Sequence, residues 1–476
     1  VVFSTYQSSL QIAEAQTRNR VPGFDLVIAD EAHRCAGKVS SAYGTVLDDE
    51  AIRAKKRLFM TATPRTYTAR VQKKAREADI EIASMDDEAV FGPVVHQLNF
   101  GEAIEKELLT DYQVVVVGVD NSRYKQMVDK RRIVKADKHI KTDAETLAKH
   151  VALAKVIRDY GLRRTITFHS RIKTASEFAN MLPKVVSWMP PRHRPKVELV
   201  TDHVSGEMST GQRNRRLNRL RNIEPGQSAV LTNAQCLSEG IDVPTLDGVA
   251  FIDPRRSQVD IVQAVGRAIR RSQDKTLGTI VIPVFLSDTD DPDTALSQSE
   301  FEPVWSIVRA LRSHDDVLGE ALDGIRTGMG RGDRGGLPPK IVIDFPRGVS
   351  TNFVEACRTR VVEAGTSNWA FNFGLLEKFV DREGHARVAQ RHVEVMTDGR
   401  EFGLGVWASA CRSNFAGGTL SLSQIEALEN LPGWVWDIAE WEWNYNLGLL
   451  ERFVAREGHA CPRDDHIEDG RRVGTW

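Results

Sequence analysis

Two adjacent carboxylates stand at the end of an apolar run: Leu26-Val-Ile-Ala29 leads directly into Asp30-Glu31-Ala32-His33. On a buried strand this pair would sit at the carboxyl end, where α/β sheets bind ligands. There one carboxylate can hold Mg²⁺ while the other orients or deprotonates a water, the arrangement that nucleotide hydrolysis needs. A strand ending in Asp-Glu is more often plain solvated polarity, so the tetrapeptide draws its weight from its company. Thr61-Ala-Thr-Pro64 follows the next apolar run. Much later come Leu231-Thr-Asn-Ala-Gln-Cys-Leu-Ser-Glu-Gly-Ile-Asp-Val-Pro244 and Gln263-Ala-Val-Gly-Arg-Ala-Ile-Arg270. In a helix Arg267 and Arg270, three residues apart, share one face. The plain alternative for them is a solvated basic surface, which Arg270-Arg271 partly fits.

The elements that must position these residues are legible as short apolar runs alternating with amphipathic stretches. Strands are expected at residues 1–4, 26–29, 58–60, 114–117, 165–168, 198–200, 229–231, 249–252 and 279–284, and helices at 172–182, 212–221 and 259–270. Buried strands alternating with helices mean a mostly parallel α/β sheet. Their spread suggests two such sheets meeting near residues 101–112. After residue 286 the character changes. Residues 287–299 are acidic and loop-like, and 327–339 are Gly-rich and basic, which reads as a connector.

Beyond about residue 365 the strand pattern stops and Trp becomes dense, with seven of the nine from Trp369 onward. That region repeats itself. WAFNFGLLEKFVDREGHARV, from Trp369, aligns with WNYNLGLLERFVAREGHACP, from Trp443, at a constant offset of 74 residues. Gly405-Val-Trp407 matches Gly474-Thr-Trp476 after a five-residue gap. Phe373, Leu376, Phe379 and Val380 have helical spacing, and Gly384 is placed to cap the helix. Small helical modules with Trp and Phe inside are expected. His459, Cys461 and His466 suggest zinc, but in the first copy only His385 and His392 correspond, too few for a structural site.

The 476 residues carry 64 basic and 65 acidic side chains, a net charge of −1. The distribution is uneven: residues 121–225 hold 24 Lys and Arg against 10 Asp and Glu, and residues 365–476 hold 11 against 17. A basic middle of +14 is the footprint of a polyanion partner, or a solvated face. Five cysteines lie far apart with no C-x-x-C pair, which excludes a disulfide framework and suggests a cytoplasmic protein. No run approaches the ~18 apolar residues of a membrane span, so no membrane partner is expected.

In order and in placement, these motifs resemble those of superfamily two helicases, in the DEAH-type branch near restriction-enzyme and excision-repair motors. Val2-Phe-Ser-Thr-Tyr-Gln-Ser8 resembles the nucleic-acid-contacting segment upstream of the DEAH box. Phe91-Gly-Pro93, Glu102-Ala-Ile104 and Leu108-Leu-Thr-Asp-Tyr112 resemble the inter-domain stretch, and Thr167-Phe-His-Ser-Arg171 the fourth motif. The resemblance covers residues 1 to about 286. It implies an α/β chain with two RecA-like parallel-sheet domains and Mg²⁺-ATP in the cleft between them.

By that resemblance Asp30 would bind Mg²⁺ through water and Glu31, also near the metal, would activate the attacking water. Arg267 and Arg270 would stabilise γ-phosphate charge as arginine fingers. Gln263 would couple to His33, Gly240 would allow close backbone approach, and Asp242 would bind ribose or help close the cleft. Thr5, Ser170, Arg171 and Thr232 would contact backbone phosphates. The tail resembles the helicase-associated repeat found behind such motors. Residues 1–105 are then the C-terminal part of a first RecA-like domain and 106–290 a second. A connector follows at 291–365, with repeats, small and all-α, at 366–440 and 441–476.

One departure matters. The phosphate loop G-x-x-x-x-G-K-[ST] is absent; Gly37-Lys38-Val39-Ser40 lacks the spacing and follows the acidic motif where the loop should precede it. The chain opens on Val and closes within a repeat, so a fragment of a longer protein is expected, inactive as an ATPase by itself. Two functions follow: an ATP-dependent helicase or translocase, on DNA in preference to RNA, or a non-catalytic nucleic-acid-binding scaffold derived from one. The repair and restriction resemblance favours DNA, and intact Glu31, Arg267 and Arg270 favour the enzyme.

Overall fold

The computed structural model describes residues 1–19, 21–39, 43–77, 81–120, 144–234, 243, 245–253, 257–272, 275–286, 296, 301–397 and 399–476. The chain forms two compact units, the first of residues 1–285 with 313–316, the second of 286–312 with 317–476.

The first unit opens with helix α1 (Ser9–Arg18) and a parallel pair of short strands, β1 (Val27–Ala29) and β2 (Arg57–Phe59), with Ile28 opposite Leu58. Its main sheet is built from β3 (Asp111–Asp120), β4 (Arg164–His169), β5 (Glu198–Ser205), β6 (Gln227–Ala234), β7 (Gly248–Phe251) and β8 (Leu277–Leu286), in the order β3-β8-β7-β4-β6-β5. β5 to β6, β6 to β4, β4 to β7 and β7 to β8 are all parallel. Parallel strands joined by crossover helices bury both faces, and the sequence complies: Val114, Val115, Val116 and Val117 are fully buried, and β6 is buried from Ser228 onward. The crossover helices are α2 (Ala144–Tyr160), α3 (Ile172–Trp188), α4 (Thr210–Arg221) and α5 (Gln258–Ala268). α4 starts on a capping box, Ser209 with Gln212, each side chain meeting the other's backbone N–H.

Eight of the nine expected strands are present. Residues 1–4 are the exception. They are extended and exposed, with no ladder partner among the described residues. The helix expected at 259–270 ends two residues early, at Ala268. Arg270 lies beyond it in an isolated antiparallel bridge to Leu109, so Arg267 and Arg270 do not share a helix face.

The second unit is mostly helical. The stretch read as a connector carries α6 (Glu302–Arg312), α7 (Asp316–Arg331) and α8 (Thr351–Gly365). α6 buries Val304, Trp305, Ile307, Val308 and Leu311, a helical stripe that the flanking acidic and Gly-rich segments obscured. The glycines serve close packing: a Cβ at Gly330 would lie 2.1 Å from the Phe371 carbonyl oxygen, and one at Gly374 2.0 Å from that of Thr327.

The first repeat is α9 (Asn368–Glu383), a two-residue hairpin pairing 394–395 with 401–402, α10 (Leu404–Ala416) and α11 (Leu422–Glu429). Leu375, Leu376, Phe379, Leu404, Ala408 and Leu428 form its core, with Trp369, Trp407, Trp434 and Trp436 packed against it. The second copy has the corresponding helix α12 (Ile438–Glu457) and a hairpin pairing 467–468 with 471–472. Both helices end on a glycine in the left-handed region, Gly384 at φ 74° and Gly458 at φ 78°.

Among the described residues the repeat histidines belong to no group of side chains that could hold a metal. His392 Nε2 lies 2.7 Å from Glu394 Oε1, which also accepts from Arg382 at 2.6 Å. His466, Glu468 and Arg456 reproduce this arrangement 74 residues later. The arginine half of this clamp, which pins each hairpin to its helix, was not visible in the motif pattern. It holds the Glu394 carboxyl below its ordinary range, chiefly through the Arg382 hydrogen bond.

Candidate nucleotide and nucleic-acid site

β1 delivers Asp30 and Glu31 at its carboxyl end. Asp30 is exposed, and its Oδ1 accepts from the Glu31 N–H at 2.9 Å. Glu31 is half-buried and left-handed, at φ 50° and ψ 44°. For a residue with a Cβ that conformation costs about 1–3 kcal/mol and persists only where the surroundings impose it. Here they do. Met60 N–H donates to Ala29 O and Ala32 N–H to Met60 O, both at 2.9 Å, so β2 clamps the turn from both sides.

His33 is buried, with Nδ1 at 3.1 Å from Thr61 Oγ1 and 3.3 Å from Glu31 Oε2. The threonine contact is the shorter and has hydrogen-bond geometry; Glu31 Oε2 is buried with no hydrogen-bond partner. Thr61 Oγ1 also accepts from the Thr63 N–H at 3.1 Å. The acidic motif and Thr61-Ala-Thr-Pro64 therefore form one hydrogen-bonded unit.

A cleft of about 780 Å³ lies beside this unit. His33, Arg34, Tyr43 and residues 64–66 line it from the acidic-motif side, and residues 257–260 with Gln263 from α5. The structure thus brings His33 and Gln263 to one cleft. Ser257 caps α5, its hydroxyl accepting from the Asp260 N–H at 3.4 Å, and so fixes the helix end that forms this wall. On the α5 wall of the cleft, Gln263 Nε2 is buried with no hydrogen-bond partner. Buried polar groups are normally paired, and an amide donor left over in a cleft wall suits a polar ligand with oxygens of its own. Arg267 is buried and Arg270 exposed, and neither lines the cleft. Gly240 and Asp242 lie outside the described residues.

Family models match the chain in three places: "Type III restriction enzyme, res subunit" over residues 1–66, "Helicase conserved C-terminal domain" over 148–272 and "Helicase associated domain" over 366–437. Its fold is similar to that of the ATP-dependent Type ISP restriction-modification enzyme LlaBIII bound to DNA, with 28% identity and a TM-score of 0.64 over 90% of this chain and 27% of that one. The chain carries the conserved domains of superfamily two helicases, with a helicase-associated domain behind them. It is 26% identical over 326 residues to the probable helicase A859L of African swine fever virus (isolate Pig/Kenya/KEN-50/1950), covering 68% of this chain and 32% of the viral protein. It is 22% identical over 338 residues to the Type I restriction enzyme EcoAI endonuclease subunit of Escherichia coli, covering 63% and 38%. The chain thus spans about a third of the length of these relatives.

The chain places its four expected phosphate-contacting residues differently. Thr5 is exposed, its hydroxyl donating to Ser8 Oγ at 3.2 Å. Ser170 and Arg171 are exposed at the end of β4, with the Ser170 N–H and hydroxyl both donating to Asp253 Oδ2 at 2.9 Å. Thr232 is fully buried and donates to the Ala175 carbonyl at 2.7 Å, tying β6 to α3. Its hydroxyl is committed to the interior, because β6 is buried on both faces, and it offers nothing to a phosphate in this arrangement. The chain also has a contact that the motifs did not reveal: the Tyr6 hydroxyl donates to the Asp30 carbonyl at 2.5 Å.

Proposed function

We propose that this protein is the motor part of an ATP-dependent translocase or helicase that acts on DNA. The observation that carries the reading is the cleft lined together by His33 of the acidic motif and Gln263 of α5, whose Nε2 is buried with no hydrogen-bond partner. Bound Mg²⁺-ATP supplies the phosphoanhydride whose hydrolysis drives movement. Asp30 would hold the metal through water, and Glu31 would orient and deprotonate the attacking water. Gln263 would link the nucleotide to His33 and Thr61, while Arg267 and Arg270 would stabilise γ-phosphate charge, with Gly240 and Asp242 completing that side. Thr5, Ser170 and Arg171 would meet the nucleic-acid backbone.

DNA is chosen over RNA because LlaBIII is bound to DNA and EcoAI is a restriction endonuclease subunit. The +14 charge of residues 121–225 suits a polyanion. The test is ATP turnover of the full-length protein with duplex DNA, single-stranded DNA or RNA added at equal nucleotide concentration. DNA should raise turnover and RNA should not. Turnover indifferent to every nucleic acid would contradict the motor, and no turnover under any condition would favour the non-catalytic scaffold.

A further inference from the structure

The peptide joining Asp30 to Glu31 sets where the Glu31 carboxylate points, and it lies in a turn whose next residue is left-handed. Its N–H donates to Asp30 Oδ1 and its carbonyl accepts from Tyr6 Oη. The first tether uses the carboxylate that would also serve the metal. The second comes from 24 residues upstream and does not depend on the metal. Tyr6 stands next to Thr5, which is exposed, and heads the short 3-10 turn Tyr6–Ser8. Its other neighbour, Gln7, donates from Nε2 to Tyr43 Oη at 2.8 Å, and Tyr43 lines the cleft. The Tyr6 and Tyr43 rings lie 5.9 Å apart. Three consecutive residues thus present a hydroxyl to solvent, grip the acidic turn and grip the cleft wall.

We propose that Tyr6 is a positioning residue: through its hydrogen bond to the Asp30 carbonyl it couples occupancy of the segment at Thr5 to the orientation of Glu31. This deepens the motor reading and rests on it. A backbone phosphate drawing on Thr5 shifts the 3-10 turn, and Tyr6 and Gln7 carry that shift to the acidic turn and to Tyr43 together. Burial raises the Tyr6 phenol well above its ordinary range, so the hydroxyl remains a donor throughout the working pH range.

Tyr6→Phe removes the donor and keeps the ring. The first readout is hydrogen exchange of the Glu31 and Ala32 amides, with and without a duplex oligonucleotide. In the parent, DNA should slow exchange; in Tyr6→Phe exchange should be faster and DNA should no longer change it. The second readout is DNA-stimulated ATP turnover of the full-length protein. Turnover at saturating DNA should fall by up to roughly tenfold, the scale of one hydrogen bond, while the DNA concentration for half-maximal stimulation stays the same. Replacing Tyr6 with 3-fluorotyrosine, which keeps the donor, should restore the parent response. Equal exchange and equal turnover in the parent and Tyr6→Phe would overturn the coupling while leaving the motor standing. A shifted half-maximal concentration with unchanged saturating turnover would also overturn it, making Tyr6 a plain binding residue. Absence of any DNA effect in the parent would overturn both.

Discussion

At the scale of single residues, the structure shows how the groups picked out in the sequence are held. Asp30, Glu31, His33 and Thr61 were readable because chemistry constrains residue type, and strand ends are easy to locate. The left-handed turn at Glu31 and the Tyr6 hydroxyl on the Asp30 carbonyl were not, because both depend on contacts between segments distant in sequence. Thr232 misled for the same reason: a hydroxyl's type does not say which way the strand faces. The arginines give a sharp prediction. Arg270→Ala in the full-length protein should lower ATP turnover at saturating DNA by on the order of 10³-fold if the residue acts as a full arginine finger. A loss confined to DNA affinity would move Arg270 from the nucleotide to the nucleic-acid track, as its exposed position past the end of α5 would also allow.

At the scale of elements, hydrophobic periodicity located β3 to β8 because buried strands are nearly continuous in apolar residues, and it found β1 and β2 by the same apolar runs although Ile28 is exposed and β2 only half-buried. It overextended α5, since nothing local marks the point where Leu109 and Arg270 take over the backbone pairing. It also missed α6 to α8, whose Gly residues read as linker but lie where helices touch. Gly374 and its repeat counterpart Gly448 separate these two roles. Gly374→Ala drives a methyl into the Thr327 carbonyl and should destabilise the second unit by about 1–3 kcal/mol. Gly448 meets nothing within 4 Å, so Gly448→Ala should stabilise α12 by roughly 0.5–1 kcal/mol. Denaturant melts of both variants check the opposite signs.

His150 gives the first unit an acid sensitivity. It is buried between α2 and α3, stacked 3.8 Å from Phe178, with Nδ1 donating to the Thr146 carbonyl at 2.6 Å. Burial lowers its pKa to about 4. The unfolded chain therefore binds the extra proton first as pH falls, so stability is full above about pH 6.5 and is lost progressively towards pH 4. The loss should approach roughly 3 kcal/mol, and His150→Phe should flatten it. Melting temperatures of parent and variant across that range provide the check.

At the scale of the whole molecule, the two copies of the repeat were legible from their 74-residue offset, and their unequal packing follows from what each contains. In the first, α10 and α11 cover α9, whereas in the second Trp443 remains 60% exposed and Trp476 44%. The tail carries none of the cleft residues and has a charge of −6, against +14 for residues 121–225. Any DNA affinity it adds should show a shallower salt dependence than the first unit's, and side-by-side salt titrations of the full-length protein with and without residues 365–476 test this. A slope unchanged in sign and size by deleting the tail bears that out; a markedly shallower slope would reveal a basic track that the charge count hides. The central claim is that Glu31 is the base of an ATP-driven motor, and Glu31→Gln in the full-length protein tests it most directly. The amide keeps the shape and cannot take a proton. Nucleotide affinity should match the parent while DNA-stimulated turnover falls by roughly 10²-fold or more. Hydrolysis by Glu31→Gln at the parent rate would contradict the account.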